Sequence, residues 1–242
     1  MNTHEETFAR LETKYMLSLD QAVWLTLQLH ARGFQCMTFD SPKIQSLYYD
    51  TEDFLLIRQS LARPVYKEKL RLRAYGEPGS QSAGFAEIKK KYNHVVYKRR
   101  VSVALADAPD LLDPDTPSRL PDQIGLEIDW MVQRYHLIPR VLIAYDREAW
   151  INPEDPGVRI TFDRNLSFRA HTLDLSSTVS NTALTLPDQR LMEIKIPGVY
   201  PLWLIHLLED VSARRCHYSK YGDAYTRFIQ PGSLRSSILK GA

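Results

Sequence analysis

A chain of 242 residues with 44% hydrophobic and 25% charged residues has the composition of an ordinary globular protein, which excludes wholesale disorder and leaves ample length for a buried core. The formal net charge is only +2, from 31 basic and 29 acidic residues, so the molecule is no polycation built for bulk nucleic-acid binding, and any anion site must come from local placement of charge. Cys36, Cys216 and the seven histidines lack metal-ligand spacing, the N-terminus has no apolar signal core, and no apolar run approaches the roughly 18 residues that cross a bilayer; a soluble cytoplasmic protein is expected.

In chain order, "TFARLETKYM" (7–16) predicts a strand with Arg10, Glu12 and Lys14 on one face and Ala9, Leu11, Thr13 and Tyr15 on the other. "SLDQAVWLTLQLHARG" predicts a helix capped by Ser18 and stopped at Gly33. "KIQSLYYDTEDF" reads as a strand running into a helix capped near Asp50 or Thr51. "VYKEKLRLRAYG" (65–76) then places Lys67, Lys69, Arg71 and Arg73 at every second position, four cations on one face of a strand.

Beyond the turn-rich "GEPGSQSAG", the segments "FAEIKKKY" and "VVYKRRVSV" read as a hairpin across "NH". Glu87, Lys89 and Lys91 share a face of the first strand. In the second, Lys98 and Arg100 share one face and Tyr97 and Arg99 the other. Residues 104–136, Pro- and Asp-rich and then helical, read as an insertion or a packing element. Two strands, "RVLIAYDREAW" and "GVRITFDRNLSF", follow, and "RLMEIKIPG" places Leu191, Glu193 and Lys195 opposite Met192, Ile194 and Ile196. Helices are expected near "PLWLIHLLEDV" and "KYGDAYTRFI". The tail 230–242 is expected to be flexible, and no linker or repeat divides 1–242, so a single domain with a core at about 7–229 is expected.

Strand after strand thus carries a basic face backed by an apolar one. An open sheet could show such a face to water, but the recurring basic bias favours an α+β fold with a closed antiparallel β-barrel, charged inside and covered outside by helices. A barrel lined this way must be wet and suits a polyanion: guanidinium pairs phosphate oxygens bidentately and lysine supplies point charge.

"RLETKY", "SLYYDT", "KLRLRAYG", "EIKKK", "YKRRV", "YDREAW", "RITFDRNL", "MEIKIPG" and "SKYGDAY" occur in an order that resembles the VTC domain. This is the catalytic domain of the vacuolar transporter chaperone polyphosphate polymerase, of the CYTH-like triphosphate tunnel metalloenzyme superfamily. The resemblance implies an eight-stranded antiparallel tunnel that uses ATP and a divalent metal, Mn2+ or Mg2+, to extend polyphosphate. By position it implies that Lys14, Arg71, Arg73, Lys89, Lys98, Arg147, Arg159 and Lys220 act on the phosphates, that Arg10, Lys69, Lys91, Arg100 and Lys195 are further tunnel-wall cations, and that Glu193 holds the metal.

The triphosphatase and cyclase branch of the superfamily starts with Glu-x-Glu-x-Lys, whereas this chain has Arg10, Glu12 and Lys14, which favours the polymerase-like branch. Eukaryotic members add a phosphate-sensing domain and membrane helices; this chain resembles stand-alone prokaryotic members, so a membrane partner would be a separate protein. The competing expectations are a triphosphatase acting on inorganic triphosphate or nucleotides, and a non-catalytic polyphosphate or inositol phosphate binder. Asp146 and Asp163 read as structural, on the other face or at strand ends. Tyr48, Tyr75 and Tyr221 read as wall or helix packing rather than base-stacking residues, and Trp130 and Trp203 as packing residues.

Overall fold

The computed structural model describes residues 10–37, 43–79, 81–93, 95–116, 120 and 122–230. The start of the expected first strand (7–9) and the tail after 230 lie outside the described residues. The elements in chain order are β1 (Arg10–Ser18), α1 (Leu19–Ala31), β2 (Gln35–Met37), β3 (Lys43–Asp50), α2 (Leu55–Leu61), β4 (Tyr66–Tyr75), β5 (Ala83–Tyr92), β6 (Val95–Ala104) and α3 (Ala108–Leu111). They continue with α4 (Asp122–Tyr135), β7 (Ile138–Ile151), β8 (Arg159–Arg169), β9 (Thr182–Ala183), β10 (Gln189–Pro197), α5 (Leu202–Asp210), β11 (Arg215–Cys216), α6 (Lys220–Ala224) and a π-helical turn (Tyr225–Ile229). The fold is α+β, with antiparallel strand pairing. No helix among the described residues is long and apolar enough to cross a membrane.

The chain forms two compact units. The first takes its described residues from 10–37, 146–165 and 185–218, the second from 43–145, 166–184 and 219–230. In the first the strand order is β11-β1-β10-β8-β7, with β2 on the end of β7. In the second it is β7-β3-β4-β5-β6, with β9 on the end of β8; β7 and β8 contribute one end to each unit.

Each unit has its own apolar core on one sheet face. In the first, Tyr15 and Leu17 of β1, Ile160 and Phe162 of β8 and Met192 and Ile194 of β10 pack beneath Leu25 and Leu29 of α1 and Leu204 and Leu207 of α5. In the second, Leu70 and Leu72 of β4, Ala86 and Ile88 of β5 and Val101 and Val103 of β6 pack beneath Ile128, Met131 and Val132 of α4. The helical part of 104–136, α4, is therefore a packing element. Fully burying one such side chain contributes about 1.5–3 kcal/mol, and the period-2 pleat then sends the residues between to the opposite face. That face is where the charge lies.

Local chemistry sets the ends. The Ser18 hydroxyl accepts from Gln21 N (3.2 Å) while the Gln21 side chain accepts from Ser18 N (2.8 Å), a reciprocal box that turns β1 into α1. Gly33, with φ of +79°, follows the last turn as expected. Both residues expected to cap α2 contribute: Asp50 accepts from Leu56 N (2.8 Å) and Ile57 N (3.0 Å), and Thr51 Oγ1 from Leu55 N (2.8 Å). The β5–β6 hairpin turns at Asn93, with φ of +42°; His94 lies outside the described residues.

The brace formed by α4 has a tight point at Gly125, where an added Cβ would stand 2.7 Å from the Leu120 carbonyl carbon and oxygen. Alanine would gain about 1 kcal/mol of helix propensity, but the overlap with backbone costs more. Gly125→Ala should lower stability by about 1–2 kcal/mol net, read as a lower urea midpoint; an unchanged or raised midpoint would show that the start of α4 shifts freely.

Candidate functional site

The charged face of the second unit is a grid set by strand register. Lys69, Lys89 and Lys98 stand opposite one another on β4, β5 and β6. One row on, Arg71, Glu87 and Arg100 align, and Lys67 stands opposite Lys91. Burial first, and the charges of Lys91 and Lys89 next, push the Lys67 ammonium below its ordinary pKa.

Glu87 sits at the centre of this grid with its side chain 1% exposed. Its Oε2 accepts from Arg71 Nε at 2.7 Å and lies 3.7 Å from Arg73 Nε, while Oε1 lies 2.5 Å from Lys98 Nζ. Burial alone would raise the carboxyl's pKa, but Arg71, Arg73 and Lys98 together outweigh it and hold it down to about 2. Lys98 moves downward too: burial, helped by repulsion from Arg71 and Arg73, outweighs its pairing with Glu87.

Neighbouring groups hold the guanidinium planes in place. Arg71 NH1 donates to the Tyr48 hydroxyl (3.3 Å), and Arg73 donates to Ser46 Oγ (3.2 Å) and the Tyr145 hydroxyl (3.3 Å). Arg100 lies over the Phe85 ring at 4.4 Å, and Lys220, at the start of α6, has its Nζ 4.4 Å from the Tyr145 ring centroid. Tyr48 stacks on Tyr221 (centroids 4.8 Å apart), whose hydroxyl donates to the buried Asp50 carboxylate (2.8 Å). For Tyr48, burial opposes ionisation, yet the charges of Arg71, Lys69 and Arg73 and the Arg71 hydrogen bond bring the phenol down to about 7.

The first unit repeats the theme around Glu193. On β1, β10 and β8 the register aligns Lys14, Glu193 and Thr161, then Glu12, Lys195 and Arg159, and finally Arg10 with Pro197 at the strand end. Lys195 Nζ lies 2.6 Å and Lys14 Nζ 3.6 Å from the Glu193 carboxylate, whose side chain is 9% exposed. Lys14 also donates to Tyr218 O (3.0 Å). Burial resists the charge on Glu193, but Lys195, Lys14 and Arg147 outweigh it and hold the carboxyl below its usual range. Arg147 makes a two-point pair with Asp163, Nε to Oδ1 at 2.6 Å and NH2 to Oδ2 at 2.7 Å.

A divalent ion would find few protein ligands here. Among the described residues no group of three His, Cys, Asp or Glu side chains could hold one. Glu193 is nevertheless a hard oxygen donor, and the buried Thr161 hydroxyl opposite it has no hydrogen-bond partner among the described residues. One carboxylate, one orphaned hydroxyl and surrounding lysines fit an ion that brings most of its ligands with it as phosphate oxygens and water, the usual habit of Mg2+.

The expected residues thus fall into two sets. Arg71, Arg73, Lys89, Lys98, Lys69, Lys91, Arg100 and Lys220 belong to the second unit, and Lys14, Arg147, Arg159, Lys195, Glu193 and Arg10 to the first. The choice of the Lys98 and Arg100 face over that of Arg99 agrees with the register, and Arg99 pairs with Glu127 of α4 instead. Asp163 is corrected: it alternates with Arg159 and Thr161, so it shares their face and anchors Arg147. Trp130 is corrected as well, since it is 53% exposed with the Arg134 guanidinium over its ring. Trp203 packs on Phe34 as expected. Glu87 and Thr161 were missed as site residues; the signal for Glu87 was an acid at the register position between Arg71 and Arg100.

Among known proteins, the model of the VTC domain family matches residues 9–229. A search of curated proteins gives no match. Solved structures similar to the chain include a structural-genomics target from Vibrio parahaemolyticus, provisionally described as an adenylate cyclase (14% identity, 90% of this chain and 97% of that one, TM-score 0.49). Others are PH1819 from Pyrococcus horikoshii OT3 (12% identity, 88% and 95% coverage, TM-score 0.42) and a chain of the Schizosaccharomyces pombe Mediator head module (6% identity, 84% and 90% coverage, TM-score 0.40).

Because Glu87 titrates lower in the folded state than its ordinary 4.5, its stabilisation is fully present above about pH 4.5 and is lost as pH falls toward about 2. Glu87→Gln should destabilise the protein at pH 7 by about 3 kcal/mol, since it strands buried cations. It should also flatten the acid limb of denaturant-measured stability between those two pH values. A variant with the parental acid limb would show that Glu87 is not the counter-ion of this face.

Proposed function

The chain belongs to the VTC domain family, and from that premise we propose that it is a metal-dependent phosphotransferase of the polyphosphate polymerase type, extending polyphosphate from the γ-phosphate of ATP. The family implies a phosphate- or polyphosphate-related activity. In this reading the chain is a single domain whose charged faces line the family's closed tunnel.

The observation that carries the reading is the grid on β4, β5 and β6: a Lys69–Lys89–Lys98 row beside Arg71 and Arg73, presented on one face at strand spacing. Neighbouring strands lie about 4.8 Å apart, so each row meets successive phosphates of a chain with a fresh cation. Lysines supply charge without fixing a phosphate's orientation; Arg71 and Arg73, held by Glu87, Tyr48, Ser46 and Tyr145, supply directed donors.

In the reaction an oxygen of the terminal phosphate attacks the γ-phosphorus of ATP in line. The new P–O bond lengthens the chain by one unit as the bond to the β–γ bridging oxygen breaks and ADP leaves. That attacking oxygen is already ionised at neutral pH, so no side chain is needed as a general base. Lys14, Arg147, Arg159 and Lys195 around Glu193 would neutralise the charge gathering on the transferred group, and Lys220 and the β4–β6 cations would hold the chain. Glu193, with Thr161 beside it, would hold Mn2+ or Mg2+, which when bound supplies Lewis-acid charge to phosphoryl oxygens.

Purified protein incubated with ATP and Mn2+ should give polyphosphate ladders on a gel. Free phosphate without ladders would make it a triphosphatase, and unconsumed ATP a binder. Arg71→Ala and Arg73→Ala should each weaken triphosphate binding by about 1.5–3 kcal/mol, the loss of a charged hydrogen bond, and parental affinity in both would sink the assignment of β4. Glu193→Gln should retain triphosphate binding while losing metal-stimulated turnover, because an amide is an uncharged and poorer ligand for a hard ion. Near-parental turnover with Mn2+ in that variant would remove Glu193 from the metal site.

A further inference from the structure

Beyond steadying Arg71, the Tyr48 hydroxyl has no chemical part in the phosphoryl transfer just described. It lies on the same row as Arg71, directly across β3 and β4, and accepts a hydrogen bond from Arg71 NH1 at 3.3 Å, while Arg71 Nε is taken by Glu87 at 2.7 Å. The guanidinium is thus held between a permanent anion and a phenol. The Tyr48 ring cannot swing aside easily, because it stacks on Tyr221, and Tyr221 is tied by its hydroxyl to Asp50, which in turn caps α2.

We propose that Tyr48 is a proton-linked positioning residue for the bound phosphate chain: its hydroxyl pairs with Arg71 as a phenolate when the cation grid is empty, and takes up a proton from solvent when phosphate oxygens occupy Arg71. The inference rests on the phosphate binding proposed above.

The electrostatic surroundings give the direction on every side. From β4, Arg71, Lys69 and Arg73 favour the phenolate and bring Tyr48 to about 7 against burial. From β5, Glu87 shares the Arg71 guanidinium with Tyr48. From α6, Tyr221 spends its proton on Asp50 and offers Tyr48 a ring face, and Lys220 lies on the Tyr145 ring of β7. Arg140 of β7 adds positive charge near Tyr221. The other phenols that move, Tyr49, Tyr66, Tyr135, Tyr200 and Tyr221, all move up, with burial the first cause in each. A polyanion on the grid cancels the cation charge that holds Tyr48 down and adds negative charge beside it, so the phenol must titrate higher in the complex. The reprotonated hydroxyl then becomes a donor aimed at the row where the anion sits.

Two measurements on the full chain test this, with inorganic triphosphate and no metal as the probe. Ultraviolet titration of the free protein should show one tyrosinate forming near pH 7, absent in Tyr48→Phe and moved upward by saturating triphosphate. Calorimetry at about pH 8 in buffers of different ionisation enthalpy should show the parent taking up about one proton more per triphosphate bound than Tyr48→Phe, since a phenol titrating near 7 is mostly ionised there and one near 10 is not. Comparing the two proteins cancels protons exchanged by the triphosphate itself. Parental affinity should also fall with rising pH more steeply than that of the variant. A merely structural tyrosine would lower stability and affinity in the variant without changing either proton count. Equal proton uptake in the two proteins, or no tyrosinate near pH 7, overturns the proposal while leaving the phosphate site standing. Failure of the parent to bind triphosphate at all overturns both.

Discussion

A carboxylate buried among cations is the interaction on which the rest of this protein depends. Lys69, Arg71, Arg73, Lys89 and Lys98 share one face of three adjacent strands. Two like charges at 4 Å in a medium of effective dielectric 20 repel by about 4 kcal/mol, so such a face would force its own strands apart. Glu87 answers that repulsion from within the face, meeting Arg71, Arg73 and Lys98 at 2.5–3.7 Å while almost wholly out of water. The same arrangement recurs in the first unit, with Glu193 between Lys14 and Lys195 and Asp163 under Arg147. In each unit the apolar core fixes the strands, and the carboxylate makes the charge on their other face tolerable.

The carboxylates also sort the cations into two kinds. Arg71 and Arg147 are gripped at short range by acids, so their guanidinium planes are held in set directions. The Lys69–Lys89–Lys98 row has one member drawn to Glu87, and its ammonium groups sit on flexible stems. Directed donors next to adaptable charge suit a ligand that is the same at every repeat and must be gripped at one phosphate while others are merely neutralised. A wall of arginines alone would hold every phosphate with equal rigidity.

Much of this was legible because the strands alternate cleanly. The period of two in 65–76, 85–92 and 189–197 gave the charged faces, and placing Tyr97 with Val95 on the other face of β6 assigned Lys98 and Arg100 to the charged one; in the structure Val101 and Val103 on the Arg99 face reach the core. Ser18, Asp50 and Thr51 declared their helix starts through side-chain chemistry that acts within a few residues. What was not legible depends on partners distant in the chain. Asp163 follows Phe162 and looks like a strand end until β10 pairs across it and Arg147, sixteen residues earlier, reaches it. Glu87 was visible as an acid among bases, but its burial depends on three strands closing round it. The short strands β2, β9 and β11, of two or three residues each, carry no periodicity to read.

The sharing of Arg71 shows why incomplete neutralisation matters to a protein of this kind. A guanidinium with no counter-ion would bind a phosphate chain tightly and release it slowly, whereas one fully paired with carboxylates would not bind it at all. Arg71 has Nε committed to Glu87 and NH1 held by a phenol. In the proposed reading an arriving phosphate would displace the weaker partner, Tyr48, and leave Glu87 in place. The fixed acid would preserve the geometry through such an exchange, and the phenol, as proposed, would moderate the net charge. In that reading, fold stability and ligand exchange would be served by two different neighbours of one side chain, so a chain of phosphates could move past it without the sheet losing the counter-ion that holds its strands together.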